Sequence, residues 1–342
     1  MLTKIFEDKD IHKLETYINK GERFVILTHV TPDGDAIGSS LGLYHFLSVL
    51  GKEVNVVVPN DFPSFLKWMP GTKDIVVFDH HKEYGERLIR EADVIFCLDF
   101  NELKRIGKVA PFLEAADGRK VLIDHHLEAV DFCRLTLSCP EMSSTSEIVF
   151  RLLCALKAFR DINKDAAECI YTGMMTDTGS VTFGSNNPEL YYIITELIKI
   201  GIDKDKIYKN VYQVYAESRL RLMGYTIYEK MKIYPEYKTA LITLTLDEMN
   251  RFHYKTGDTE GFVNLLLSIE GILFAVLIRE DKDCIKLSFR SVGDFPTNQF
   301  SSTYFHGGGH KNASGGEYYG SFTDAVTEFE TALQEFYPES RP

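Results

Sequence analysis

Residues 24–43, which read FVILTHVTPDGDAIGSSLGL, constrain the fold of this chain more than any other stretch. The apolar run at 24–27 is typical of a buried strand, and the apolar segment at 37–50 predicts a helix. The polar residues between them therefore lie in a strand-to-helix turn. In an α/β sheet such a turn lies at the carboxyl end of the strand, which is where ligands bind.

This turn carries an imidazole and two carboxylates within seven residues, at His29, Asp33 and Asp35. Nitrogen and oxygen ligands at this spacing suit a divalent metal ion far better than a plain loop does. These three residues are therefore the first ligand candidates. The alternative is an Asp-rich turn that only caps the following helix, and the stretch taken alone leaves both interpretations open.

The length and composition of the chain describe an ordinary globular protein. Its 342 residues suffice for two domains that each bury a core, and 44% of them are hydrophobic and 26% charged. The amino terminus has acidic residues where a signal peptide needs basic ones, and no segment approaches the roughly 18 apolar residues of a membrane span. We therefore expect a cytoplasmic protein without membrane contact. Six cysteines without a C-x-x-C pair predict buried thiols rather than disulfides or a zinc site.

The net charge of the chain limits its partners. A value of −12 argues against a protein that grips long nucleic acid through a broad basic surface. A polyanionic substrate should therefore be small, and it should be held by metal and by a local cluster of cations.

The first part of the chain alternates between strand and helix patterns. This alternation predicts an α/β fold with a doubly wound, mostly parallel sheet and helices on both faces. Ser144 and Glu147 have the spacing of a capping box that starts a helix. The predicted strands lie at 24–28, 53–58, 93–99 and 121–124, and further helices at 11–20, 166–176 and 188–200.

The second part of the chain predicts a smaller α/β domain. The segment 203–216 is polar and carries alternating charge, so we place the connection between domains there, with the first domain at 1–202 and the second at 217–342. The second domain is expected to contain a helix to about residue 233, strands at 239–246, 272–279 and 284–291, a Gly-rich loop at 307–309 and an amphipathic helix at 322–336.

Three further acid or histidine groups follow apolar segments in the first domain. Asp99 ends the strand at 93–99, Asp124-His125-His126 begins where the strand at 121–124 ends, and Asp177 follows another apolar segment. Groups at equivalent ends of one parallel sheet converge in space even when they are far apart in sequence. Helix capping is a common reason for one such aspartate, but it does not account for all of them together with the histidines.

These motifs resemble those of the DHH phosphoesterase superfamily in kind, order and rough spacing. The carboxy-terminal segment 305–316, FHGGGHKNASGG, resembles the GGGH motif of the DHH-associated domain that its oligonucleotide-cleaving branch carries. The resemblance covers nearly the whole chain. It is strongest to the stand-alone nanoRNases that also dephosphorylate 3′-phosphoadenosine 5′-phosphate (pAp).

The resemblance implies two divalent metal ions in the first domain. Residues matching His29, Asp33 and Asp99 hold the first ion in the family, and the second is held by residues matching Asp35, Asp99, His125 and Asp177. Asp99 would bridge both. Two divalent cations would neutralise the roughly four negative charges of these carboxylates. The mixture of imidazole and carboxylate ligands favours Mn²⁺, with Mg²⁺ or Co²⁺ as alternatives. His126 would face the phosphate, with Asp124 orienting a histidine.

The remaining site candidates are suited to phosphate. Arg105 and Arg290 match positions that carry arginine in the family, and Arg290 ends a strand just ahead of the Gly-rich loop. Gly307, Gly308 and Gly309 let backbone N–H groups approach an anion, and His310 can donate to it. The alternatives are solvated arginines and a tight turn into the next helix. His306 and Thr182 depart from the residues common in the family, which leaves the details of phosphate and base recognition open.

A second Asp-His-His occurs at residues 79–81. It precedes Asp99, whereas the family places the motif after that aspartate, and the sequence continues as a polar helix or loop. We interpret this copy as a chance match in a solvated surface segment.

The expected function is hydrolysis of very short oligonucleotides to mononucleotides and of pAp to AMP. The alternatives are a cyclic-dinucleotide or linear-dinucleotide phosphodiesterase and, from another class, a non-catalytic nucleotide-binding module. The expected partners are short single-stranded oligonucleotides or small nucleotides, with no long duplex nucleic acid. The one protein partner expected is a second copy of the chain, in a homodimer.

Overall fold

The computed structural model describes residues 2–336, whose contacts divide the chain into two compact units. One unit ends at Val214 and the other begins at Tyr215. This boundary lies inside the segment 203–216, where a connection between domains is predicted, and Lys204–Tyr212 of that segment form a helix of the first unit. Its buried residues, Ile207 and Val211, are four positions apart on one face, and Asp203 caps it by accepting a hydrogen bond from the N–H of Lys206.

The first unit is built on a six-stranded sheet in which every neighbouring pair is parallel. The strands are β1 Arg23–Leu27, β2 Glu53–Val58, β3 Val76–Val77, β4 Val94–Leu98, β5 Arg119–Asp124 and β6 Leu135–Ser138. Their order is β3-β2-β1-β4-β5-β6, so the direction of winding reverses between β1 and β4. Ligands bind at this kind of switch point.

Helices cover both faces of this sheet. Along β1, Phe24 and Ile26 pack into one hydrophobic core, whereas Val25 and Leu27 pack into another on the opposite face. The predicted doubly wound α/β fold is confirmed. The helices of the unit are α1 Asp8–Lys20, α2 Gly34–Val49, α3 Lys82–Glu91, α4 Ala110–Ala115, α5 Thr145–Ala155, α6 Lys164–Asp177, α7 Pro188–Ile200 and α8 Lys204–Tyr212.

Helices α2 and α6 approach each other closely because glycines line their contact. A Cβ atom added to Gly38 would lie 2.7 Å from the carbonyl oxygen of Cys169. A Cβ atom added to Gly173 would lie 2.9 Å from the carboxylate of Asp35. This packing brings the amino end of α2, with Asp35, to the carboxyl end of α6, where Asp177 is the last residue.

The second unit contains a mixed six-stranded sheet with helices on both faces. Strand order is β11-β12-β10-β9-β8-β7, and β8 with β9 is its parallel pair. The strands are β7 Lys232–Tyr234, β8 Thr239–Leu244, β9 Phe274–Glu280, β10 Ile285–Ser291, β11 Gly308–His310 and β12 Ala313–Tyr318. The helices are α9 Glu217–Lys230, α10 Leu246–Arg251, α11 Phe262–Leu266, α12 Thr297–Tyr304 and α13 Phe322–Phe336.

Two expectations for the second unit need correction. Its first helix ends at Lys230, and Ile233 lies in strand β7 rather than in a helix. The Gly-rich segment is not a plain loop, because Gly308 and Gly309 belong to the edge strand β11, which pairs with β12. Glycine is depleted in strands, so residue preferences gave no sign of this pairing.

Two further predictions concern the whole chain. All six cysteines are free thiols, of which Cys97, Cys139 and Cys169 are buried, as predicted, and the other three are only half-buried. Within residues 2–336, no helix combines the length and the apolar character that crossing a membrane requires.

Candidate metal centre

The candidate ligands meet at the switch point between β1 and β4. His29 lies two residues after β1, Asp99 follows β4 directly, and Asp124 is the last residue of β5. Parallel strands bring their carboxyl ends to one edge, which explains why residues almost 100 positions apart are neighbours.

The six candidate metal ligands form two groups of three. One group contains His29, Asp33 and Asp99, and its ligand atoms lie within 4.8 Å of one another. The other contains Asp35, His125 and Asp177, at the same separation. The structure thus brings together all six residues that the sequence marked as metal ligands.

Asp99 stands between these two groups. Its Oδ2 atom lies 3.4 Å from Nε2 of His29, and its Oδ1 atom lies 3.5 Å from Nε2 of His125. Asp99 also has a φ of 63°, a left-handed conformation that costs free energy for a residue other than glycine and that is found at functional sites. Each carboxylate oxygen therefore faces a different histidine.

His29 is the clearest sign that a cation belongs here. Its Nδ1 lies 2.9 Å from the carbonyl oxygen of Val30, and because a carbonyl only accepts, Nδ1 carries the hydrogen. Nε2 is buried and makes no hydrogen bond to any residue in the described part of the chain. This nitrogen faces Asp99 and, at 3.9 Å, Asp33. A proton or a metal ion is needed between these groups, so the donor set fits a divalent cation.

Asp33 satisfies both interpretations that the sequence left open. Its Oδ1 atom accepts hydrogen bonds from the backbone N–H groups of Asp35 and Ala36, so it caps α2. The same carboxylate faces His29 and is about half exposed. Capping a helix and facing a ligand site are therefore compatible.

His125 and the acids around it show how strongly charges are crowded. Its Nε2 atom lies 3.3 Å from Asp177 and 3.9 Å from Asp35. Burial alone would lower the pKa of His125, but the charges of Asp177, Asp99 and Asp35 raise it to about 9. Burial, together with the charges of Asp99 and Asp177, raises the pKa of Asp35 well above its usual value. The site therefore attracts positive charge strongly.

Asp124 and His126 form a pair beside these groups. The Asp124 carboxylate accepts hydrogen bonds from Nδ1 of His126, at 2.8 Å, and from its backbone N–H, at 3.1 Å. Burial lowers the pKa of His126. The hydrogen bond with Asp124 acts in the opposite direction, and the positive charge of Arg105 lowers the pKa further. Asp124 thus fixes the direction of the His126 ring, and Arg105 lies near enough to act on its charge.

Helix α5 supplies contacts that sequence reasoning missed. The N–H groups of Thr145 and Ser146 donate to the two oxygens of Asp35, at 2.6 Å and 2.9 Å. The helix start at Ser144 was predicted correctly, since the Ser144 hydroxyl accepts from the N–H of Glu147. The capping signal shows where the helix begins but not which carboxylate its first turn approaches.

The phosphate candidates of the second unit lie on β10 and at β11, the two strands that flank β12. Arg290 on β10 and His310 on β11 are both directly opposite Ala313 on β12. Residues directly opposite each other have side chains on one face of a sheet, so Arg290 and His310 share a face. Arg290 is half-buried, and its Nη1 donates to the carbonyl oxygen of Phe289. Gly307 comes just before β11.

The other Asp-His-His copy lies at the surface. Asp79 pairs with Lys108 at 3.2 Å, and His80 lies 3.2 Å from Asp61. All three residues of this copy are exposed. The interpretation of this copy as a solvated surface segment is confirmed.

Comparison with known proteins agrees with this geometry. Residues 23–174 match the N-terminal domain of the DHH family, and residues 238–337 match the DHHA1 domain. The chain is 31% identical over 303 residues to the bifunctional oligoribonuclease and PAP phosphatase NrnA from Thermus thermophilus. The matched region covers 89% of this chain and 86% of that protein. This chain belongs to the DHH family. The resemblance inferred from its motifs, to metal-dependent DHH phosphoesterases with a DHHA1 domain, is confirmed.

Two further similarities place this DHH protein among its relatives. It is 26% identical over 319 residues to NrnA from Bacillus subtilis. The matched region covers 92% of this chain and 96% of that protein. A crystal structure of an exopolyphosphatase-related protein from Bacteroides fragilis superposes with a TM-score of 0.94 over the whole of both chains, at 56% identity.

Proposed function

We propose that this DHH protein hydrolyses very short oligonucleotides to mononucleotides and dephosphorylates pAp to AMP. The observation that carries the proposal is Asp99, whose two carboxylate oxygens face two different groups of metal-ligand residues. Its relatives named as oligoribonuclease and PAP phosphatase supply the substrate class. Both substrates contain phosphate esters that one site can cleave.

Two divalent ions fit the ligand residues of the first unit. We assign His29, Asp33 and Asp99 to one ion, and Asp35, Asp99, His125 and Asp177 to the other. Mn²⁺ is the proposed metal because imidazole and carboxylate ligands are mixed, with Mg²⁺ or Co²⁺ as alternatives. Such a pair of ions, when bound, activates water and stabilises the attacking and leaving oxygens of a phosphate ester.

The residues of the chain prepare the site for this chemistry. Asp124 holds Nδ1 of His126 and so fixes the direction of the ring, and we assign His126 to the substrate phosphate. Arg105, which lies near His126, supplies positive charge for the same phosphate. These groups orient the ester and its charge before the reaction begins.

The second unit is proposed to bind the substrate without holding metal. Arg290 and His310 share one face of its sheet, and Gly308 and Gly309, whose backbone we assign to an anion, lie in the edge strand β11. The N–H of Gly307 does not serve this role, because it donates to the carbonyl oxygen of Ser301. Arg290→Ala should lower kcat/KM for a dinucleotide by an amount typical of a charge-assisted hydrogen bond, about 1.5–3 kcal/mol, or roughly 10–150-fold.

A matched control lies on the same strand. Lys286, four residues before Arg290, is also half-buried, and Lys286→Ala removes one positive charge from the same face of β10. It should change kcat/KM by less than about threefold, because the charge of Lys286 already pairs with Asp281, at 3.6 Å, and lies four residues away from Arg290 along the strand. Both variants should keep the wild-type metal content. A lost metal in Arg290→Ala would contradict this division of labour.

The substrate preference is tested with one panel. Initial rates are measured at increasing Mn²⁺ for a dinucleotide, a ten-nucleotide RNA, pAp, a cyclic dinucleotide and pyrophosphate. We expect the dinucleotide and pAp to be cleaved fastest, with rates that fall as the RNA lengthens, because the net charge of −12 repels each further phosphate. A cyclic dinucleotide cleaved fastest would favour the phosphodiesterase alternative, and no hydrolysis at all would favour a binding module. Sedimentation of the same sample tests the expected homodimer.

A further inference from the structure

Thr145 makes contacts that neither a helix cap nor core packing requires. It is the first residue of α5 and is fully buried. Its hydroxyl lies 3.0 Å from Oδ1 of Asp99, and its backbone N–H lies 2.6 Å from Oδ2 of Asp35. One residue therefore contacts two carboxylates that come from different elements of the first unit.

The cap of α5 does not use the Thr145 hydroxyl. Ser144 accepts from the N–H of Glu147, and the Glu147 carboxylate accepts from the N–H and hydroxyl of Ser143. Serine and threonine hydroxyls near a helix start usually bond to nearby backbone. The Thr145 hydroxyl instead reaches a side chain 46 positions away in sequence.

The direction of this hydrogen bond matters for Asp99. A carboxylate accepts, so the hydroxyl donates its one hydrogen to Oδ1. The same oxygen faces His125, and Oδ2 faces His29. Because Thr145 holds Oδ1, rotation of the Asp99 carboxylate about its Cβ–Cγ bond is restricted. Oδ1 therefore stays directed at His125 and Oδ2 at His29.

We propose that Thr145 is a positioning residue that holds the Asp99 carboxylate in the orientation that serves both ligand groups. This inference rests on the proposed function, because the two groups are taken to be metal sites. The hydroxyl is the required part of the side chain. Its methyl group fills space, and the backbone N–H acts on Asp35 whatever the side chain is.

The test compares three variants of the full chain: Thr145→Val, Thr145→Ser and Thr226→Val. Valine keeps the shape of threonine without the hydroxyl, and serine keeps the hydroxyl without the methyl group. Thr226 is the matched control, since it is also fully buried and its hydroxyl donates within its own helix, to the carbonyl oxygen of Leu222. Mn²⁺ binding to metal-free protein is followed by the electron paramagnetic resonance signal of free Mn²⁺, alongside kcat and KM for a dinucleotide.

We expect Thr145→Val to weaken the affinity for at least one Mn²⁺ by roughly 10–100-fold, the usual effect of removing a group that orients a ligand. The variant should also lower kcat more than it changes KM. Thr145→Ser should restore both values to within about threefold of wild type, and Thr226→Val should change neither. If valine prevents folding, Thr145→Ala takes its place in the same comparison, with the same expected results.

Two results for the Thr145 variants would overturn the inference. One is wild-type Mn²⁺ affinity in Thr145→Val, and the other is a Thr145→Ser variant as impaired as Thr145→Val, which would assign the effect to packing. A wild-type chain that binds no Mn²⁺ would also overturn it. A wild-type chain that binds Mn²⁺ but cleaves no dinucleotide would contradict only the proposed substrate, because the binding measurement needs no substrate.

Discussion

The chain contains the tripeptide Asp-His-His twice, and the two copies have opposite environments. The copy at 79–81 follows β3, a two-residue strand at the edge of the sheet, and all of its residues are exposed. The copy at 124–126 begins with the last residue of β5, which pairs with β4 inside the sheet, and all three of its residues are buried. Position in the sheet, and not the tripeptide, decides which copy faces other ligand residues.

The partners of the two aspartates sharpen this contrast. Asp79 pairs with Lys108, which neutralises it at the surface. Asp124 is fully buried and accepts two hydrogen bonds from His126. An exposed ion pair contributes little, whereas a buried carboxylate must have its hydrogen bonds satisfied. Substitutions at matched positions should therefore differ greatly in effect.

The middle histidines should show the largest difference. His125→Ala removes a proposed metal ligand and should lower kcat/KM for a dinucleotide by more than ~100-fold, beyond the effect of removing a group that only orients a ligand. His80→Ala should stay within about twofold of wild type, because surface substitutions away from special features are usually neutral. Equal losses in the two variants would remove the distinction between the copies.

The aspartates should show a smaller difference. Asp124→Asn keeps the shape of the side chain but weakens its hold on Nδ1 of His126, so we expect a loss of roughly 10–100-fold in kcat. Asp79→Asn loses one exposed ion pair and should retain wild-type rates. The comparison fails if Asp124→Asn is harmless while Asp79→Asn is impaired, since the outer copy would then be the functional one.

The pH dependence of stability should show the smallest difference. In metal-free protein the folded-state pKa of His125 is raised to about 9 from an ordinary value of 6.5. Its stabilising contribution is therefore fully present below about pH 6.5 and is lost as the pH rises through about 9. The free energy of unfolding should fall over this window by on the order of 1–3 kcal/mol.

Urea unfolding of metal-free protein at pH 6 and pH 9 measures this loss. The fall should be smaller in His125→Gln, because glutamine does not titrate, and unchanged in His80→Gln. An identical fall in His125→Gln and wild type would mean that another group causes it.

The metal-ligand candidates could be found from the sequence because strand ends are predictable. Apolar runs that precede His29, Asp99 and Asp124 indicate strands, and parallel pairing then places their ends together. The contact between Thr145 and Asp99 could not be found in this way. It depends on how α5 packs against α2 and β5, which no local pattern specifies.

Two elements show the same limit in the fold. Strand β11 was expected to be a loop because glycine is depleted in strands, and only its pairing with β12 makes it extended. Helix α8 lies where a connection between domains was expected, because the segment is polar and carries alternating charge, but Ile207 and Val211 on one face of the helix pack into the core of the first unit. In both cases a tertiary contact outweighs a weak local preference.

The most direct test of the central claim is the metal content of Asp99→Ala beside that of Asp79→Ala. Each protein is loaded with Mn²⁺, freed of excess metal and examined by elemental analysis. Because Asp99 is assigned to both ions, we expect two Mn²⁺ per chain in wild type and Asp79→Ala, and fewer than two, with no measurable turnover, in Asp99→Ala. Two tightly bound Mn²⁺ and wild-type turnover in Asp99→Ala would contradict the account.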